Sequence, residues 1–153
     1  MVCALLLVVF GVIYEALDNV VQAQTYATDR TDSLDSMRLG LNEMTRELRQ
    51  AAGVDDTSTA SQIDFETYSS GAAEHVTYRA VGTTLTRQAG ANAPVPVLQG
   101  LASTSVFTYV TAPPVPGAQW IRINLQVRPK RTPDTVLVLD SEVNLRNRTE
   151  ASS

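Results

Sequence analysis

Few side chains in this sequence have the type and spacing that chemistry needs. There is one histidine, His75, and one cysteine, Cys3. A lone histidine could serve as a base, but His75 follows Glu74 at the start of an alternating segment, with no nucleophile motif beside it. It reads as an exposed strand residue. A single cysteine excludes an intrachain disulfide and a zinc site of several cysteines. Cys3 stands inside an apolar run, where a thiol behaves as a small apolar side chain. Asp55 and Asp56 could help to hold calcium, yet no EF-hand spacing follows them, and a solvated turn is expected. Asp29, Asp32 and Asp35 share one helix face, which could meet a basic partner or simply water. Asn147-Arg148-Thr149 fits the N-glycosylation pattern. Gly82, Gly90 and Gly100 are isolated and build no phosphate loop. Trp120 and Tyr109 are expected in the core or at its rim. No constellation supports catalysis, and neither a cofactor nor a metal is expected.

The elements around these residues carry more information. The chain has 153 residues, a formal net charge of −4, 44% apolar residues and 18% charged residues. That composition suits one folded domain with a sizeable core. The acidic balance, and a single lysine at Lys130, argue against a nucleic-acid partner, which normally demands a basic stripe.

Residues 1–14, MVCALLLVVFGVIY, contain no charged side chain. As a helix this run spans about 21 Å, against the roughly 20 residues that a bilayer core requires. It fits the apolar region of a signal peptide in length, but no basic residue precedes it. A possible cleavage site, Val21-Gln22-Ala23, follows only after Glu15 and Asp18. A buried core helix is a third reading.

The helical pattern does not stop there. Residues 15–52 hold no proline and one glycine, Gly40. Leu34, Met37, Leu41, Met44, Leu48 and Ala51 recur at spacings of three and four, the stripe of an amphipathic helix. Carried backwards, the stripe meets Ala27, Ala23, Val20, Ala16 and Ile13, broken at Arg30. Asp29, Asp32, Asp35, Arg38, Glu43, Arg46, Glu47 and Arg49 fall on the other faces and are expected in solvent. Gly53 is expected to end the helix. One helix over residues 1–52, about 75 Å long, thus joins an apolar part at 1–14 to a part at 34–52 that should lie on a following domain.

After Gly53 the period changes to two. Segments 62–68, 74–81, 84–88, 104–111, 119–128 and 135–145 read as strands, with Gly82-Thr83 as a hairpin turn. In 119–128, Ile121, Ile123, Leu125 and Val127 alternate with Arg122, Asn124, Gln126 and Arg128, so one face is wet. Segments 89–96 and 112–117 read as loops from their proline and glycine content. The expected fold class is α+β: a long N-terminal helix, apolar and then amphipathic, on an antiparallel sheet of six or seven strands. The head covers 53–148, and 149–153 form a polar tail.

An apolar helix that becomes amphipathic before a β-rich head resembles a type IV pilin or a type II secretion pseudopilin. The run Met44-Thr45-Arg46-Glu47-Leu48-Arg49-Gln50-Ala51 resembles the helix end of minor members, the J type of pseudopilin and the W type of pilin. Thr84-Leu85-Thr86-Arg87, then Val97-Leu98-Gln99-Gly100 leading into Val106-Phe107-Thr108-Tyr109, and Ile121-Arg122-Ile123-Asn124-Leu125-Gln126-Val127 are similar in order. Members of that family begin with a basic leader, a glycine cut site, a phenylalanine and a glutamate at the fifth mature position; this sequence shows none of them. The resemblance puts Met1 near the seventh mature residue. The difference of about six residues equals the shortfall against bilayer thickness, and a start further upstream is expected.

The resemblance implies a minor pilin or pseudopilin that helps to initiate or cap a filament. It implies a single pass in the bacterial inner membrane, with the head in the periplasm or outside. Its partners would be membrane lipid before assembly, other major and minor pilins or pseudopilins, and the inner-membrane assembly platform. Leu5, Leu6, Leu7, Val8, Val9, Phe10, Val12 and Ile13 would pack in the membrane or filament core. Leu34, Met37, Leu41, Met44 and Leu48 would pack on the sheet. The alternatives are a secreted or periplasmic β-rich binding domain, with a mature chain starting near residue 24, and a membrane-anchored enzyme.

Overall fold

A computed structural model describes residues 2–68, 72–110 and 120–145, with side chains described from Val20 onward. A single helix, α1, runs over Val2–Gln50. Eight strands follow: β1 (Ala51–Val54), β2 (Gln62–Thr67), β3 (Glu74–Val81), β4 (Thr84–Ala89), β5 (Val95–Gln99), β6 (Phe107–Val110), β7 (Trp120–Val127) and β8 (Leu137–Asn144). The chain is α+β, with every strand pairing antiparallel.

The strands form two sheets rather than one. One has five strands in the order β1-β2-β3-β4-β5, and the other has three in the order β6-β7-β8. The chain passes between them through Gly100 to Val106, where Leu101 forms an isolated bridge with Val127 and Val106 donates its N–H to the Ala60 carbonyl. Helix α1 packs on strands of both sheets, most extensively on β8 and then on β7, β2 and β5.

Three boundaries depart from the expected pattern. Gly53 does not sit in a helix stop. The helix ends at Gln50, and Ala51 is already paired with Thr67 in β1, with a register shift between Ala51 and Gly53. A bulge accommodates glycine here, so one residue takes up the change from helix to sheet. Residues 95–96, expected in a loop, belong to β5, where Pro96 faces Thr86 on an edge strand. Proline is tolerated there because an edge strand has N–H groups with no ladder partner to lose. The segment expected as a strand from residue 104 enters β6 only at Phe107.

The core lies where the helix crosses the sheets. Met37, Met44 and Leu48 are fully buried, together with Ile63, Phe65, Tyr78, Leu85, Ile121, Ile123 and Leu125. The Phe65 and Tyr78 rings stack with centroids 6.2 Å apart and planes 9° from parallel. The alternation along β7 sends Ile121, Ile123, Leu125 and Val127 inward and leaves Arg122 exposed. The head covering residues 53–148 in the sequence reading therefore has its first strand two residues earlier, at Ala51.

Candidate assembly surfaces

The helix and head are joined by apolar packing and by one buried polar clamp. Met37, Leu41, Met44, Leu48 and Ala51 are buried, and Leu34 is partly buried against the same cluster. These positions follow the three-four spacing of the stripe, so one side of the helix meets the sheets over about four turns. Leu5, Leu6, Leu7, Val8, Val9, Phe10, Val12 and Ile13 have helical backbone within α1, but their side chains lie outside the described residues. Residues 112–117, Asn147-Arg148-Thr149 and the tail at 149–153 also lie outside them.

Glu47 was expected on a wet face and is instead buried. Its carboxylate accepts a hydrogen bond from the Tyr78 hydroxyl at 2.7 Å. It also accepts from Arg87 Nη2 at 2.8 Å and from Arg87 Nε at 3.1 Å. Tyr78 and Arg87 are directly opposed in the β3–β4 register, so both side chains project on the same sheet face toward the helix. Glu43, one turn earlier, stands 4.0 Å from the same guanidinium. Burial raises the Tyr78 hydroxyl pKa above its ordinary range, helped by its bond to Glu47. The Glu47 hydrogen bond likewise raises the pKa of Arg87 and holds it charged. The stripe pattern could not place Glu47 because it flanks the apolar row. A clue lay in β4, where Arg87 shares parity with buried Leu85: an inward arginine requires an acid opposite it.

From Val20 to Ser33, α1 stands largely clear of the head. Val20, Val21 and Tyr26 are exposed. Thr25, Thr28, Thr31, Ser33 and Ser36 donate their hydroxyls to the carbonyls of Val21, Gln24, Ala27, Asp29 and Asp32, one turn back. Such bonds satisfy each hydroxyl within the helix. The aspartate row divides. Asp29 accepts the Arg131 backbone N–H at 2.9 Å, tying the β7–β8 loop to the helix. Asp35 meets Arg38 at 3.4 Å in solvent. Asp32 lines a groove with Ser36, Gln99, Arg128 and Lys130.

The remaining chemical candidates are dispersed. His75 Nε2 lies 3.0 Å from Asp55 Oδ2, with both side chains about half exposed. Among the described residues Asp55 is the only side chain bonded to His75, and no group of three potential metal ligands occurs. Asp56 is exposed in the turn after β1. Tyr109 is half-buried, and its hydroxyl bonds the Thr59 and Gln62 carbonyls, each at 2.9 Å. Trp120 is exposed at the start of β7. Asp64 is a buried acid that the sequence reading did not single out. It accepts from Thr77 Oγ1 at 2.6 Å, Gln62 Nε2 at 2.6 Å and Thr57 Oγ1 at 3.3 Å. These donors fix the β1–β2 turn rather than open a site.

Among the described residues no helix is long and apolar enough to cross a membrane. No protein-family model matches this sequence, and no curated protein matches it either.

Proposed function

We propose that this chain is a minor pilin or pseudopilin, a structural subunit that helps to initiate or cap a filament of the type IV pilus or type II secretion class. The observation that carries the reading is the single helix. α1 continues without a break from Val2 to Gln50, and its part from Leu34 onward is packed on the head, while Val20, Val21 and Tyr26 are exposed. An extended helix joined rigidly to a β-rich head suits a subunit held by one end and displayed by the other. The hydroxyls of Thr25, Thr28 and Thr31 bond within the helix, so this stretch can pack among other helices without stranding these donors.

In this reading residues 1–14 sit in the bacterial inner membrane and later pass into a filament core. Lipid and packed helices are similarly apolar, so close packing and polar pairs decide which neighbours are accepted. The partners are lipid before assembly, other major and minor subunits, and the inner-membrane platform. The head lies in the periplasm or outside and has no catalytic role.

The test is to produce the full chain in a Gram-negative host, fractionate the cells and measure the intact mass. The reading expects the chain in the membrane fraction, resistant to alkaline carbonate, with residues 1–14 retained. Soluble periplasmic protein whose mature chain starts near Gln24 would overturn it in favour of a secreted binding domain.

A further inference from the structure

The four outer edges of the two sheets are not alike. β1 is four residues long and has a register shift between Ala51 and Gly53. β5 contains Pro96, and its pairing shifts between Leu85 and Thr86. β6 is four residues long and is tied at its start to Ala60. Short length, proline and irregular register are the usual devices that keep an edge from pairing with another chain. β8 has none of them. It runs for eight residues with no proline and no lysine, in unbroken register with β7 from Leu137 to Asn144.

The free groups of this edge can be identified from the ladder. Asn124 donates its N–H to Val106, and the Gln126 carbonyl accepts from Ala102. The even residues of β7 therefore bond away from β8, and odd residues bond toward it. Their partners in β8 are Leu137, Leu139, Ser141 and Val143. It follows that Val138, Asp140 and Glu142 aim N–H and C=O outward, and among the described residues no backbone group bonds them. Their side chains lie on the face away from the helix, where Arg122 engages Glu142 and Asn124 engages Asp140.

On the helix side of the same edge is a groove of about 420 Å³ between α1 and Ser141, lined by Thr45, Arg46 and Arg49. Among the described residues Arg46 and Arg49 form no ion pair. We infer that β8 takes up an extended segment of a partner protein as an added strand, and that the segment carries acidic side chains toward Arg46 and Arg49. Main-chain bonds to Val138, Asp140 and Glu142 supply the strand pairing, and the alternate side chains supply selectivity. A second copy of this chain is the wrong occupant. Antiparallel pairing of two β8 edges around a two-fold axis puts both helices on one face, so four arginines would converge. The surface is formed by β8 and the packed end of α1 and does not depend on the fate of residues 1–14.

The test uses the full chain and a blocked peptide of alternating valine and glutamate, about eight residues long to match β8. A second peptide has lysine in place of glutamate. The acidic peptide should bind, slow amide exchange at Val138, Asp140 and Glu142, and outcompete the lysine peptide. Arg46→Gln/Arg49→Gln should lower its affinity about tenfold. Val138→Pro removes an outward N–H without breaking the β7 ladder, and should abolish binding while the amides of Leu139 and Ser141 stay protected. Equal binding of both peptides overturns the inference. So does slow exchange at the three outward amides in the free chain, or dimerisation of the chain through β8.

Discussion

Replacing Glu47 by alanine tests the clamp between helix and head. The carboxylate is 6% exposed and its Arg87 partner 22%. Removing it leaves a largely buried guanidinium without its anion and the Tyr78 hydroxyl without its acceptor. Deleting one partner of a buried ion pair costs about 3–5 kcal/mol, and stranding a buried hydroxyl costs about 1–3 kcal/mol. The two overlap, because both describe one lost acceptor, and Arg87 keeps some contact with water. A loss of about 3 kcal/mol is expected, which is large against a total stability of about 5–15 kcal/mol. With a urea slope of about 2 kcal/mol/M, the unfolding midpoint falls by about 1.5 M. Far-ultraviolet circular dichroism through a urea titration reads this directly. The triple variant Glu47→Leu/Tyr78→Phe/Arg87→Met removes all three polar groups and should lie within about 1 kcal/mol of the parent. If Glu47→Ala shifts the midpoint by less than a third of the stated amount, or if the triple variant is as unstable as the single one, the clamp does not hold the helix as described.

Met44→Ala empties a fully buried site at the centre of the stripe and should cost about 2–5 kcal/mol in the same titration. Gly100 has φ +82°, and a Cβ there would meet the Arg128 carbonyl oxygen at 3.1 Å; Gly100→Ala should cost about 2 kcal/mol or more, read as a lower thermal midpoint. Burial raises the pKa values of Tyr78 and Tyr109, with Glu47 and Glu43 opposing and Arg87 favouring ionisation of Tyr78, and Asp64 opposing that of Tyr109. The folded state thus holds these protons longer than the unfolded one. Their contribution is complete below about pH 10 and lost above it, at up to about 1.4 kcal/mol per pH unit for Tyr78. Tyrosinate absorbance should rise for these two residues only as the circular dichroism signal collapses.

What the sequence disclosed and what it hid divide along the range of the interactions. The stripe from Leu34 to Leu48 was legible because a helix repeats locally, so three-four spacing alone names the face. Strand β7 was legible because Ile121 to Val127 alternate without exception. β5 was hidden because Val95-Pro96-Val97 reads as a breaker, and its strand character comes only from pairing with β4. The division into two sheets was hidden for the same reason: nothing in residues 100–106 announces that Phe107 pairs with Ile123 instead of continuing the first sheet. Glu47 was misplaced because its environment is set by Tyr78 and Arg87, which are 31 and 40 residues away.

The same long-range contacts decide how the head is aimed. α1 gives way to β1 without a connecting loop, since Gln50 ends the helix and Ala51 is already in the ladder. A helix terminus normally frays over its last turn. Here Glu47, Leu48 and Ala51 are buried within that stretch, and Arg87 grips Glu47 from β4, in the β3–β4 hairpin of the larger sheet. At the other end of the packed segment, the Arg131 N–H holds Asp29. These two polar ties, separated along the helix and drawn from different sheets, oppose rotation of the head about the helix axis as well as sliding along it. The open edge of β8 and the groove beside Lys130 therefore occupy fixed angles around α1. On the proposal that β8 docks a partner strand, breaking the Glu47 clamp should impair that docking even under conditions where the head itself stays folded.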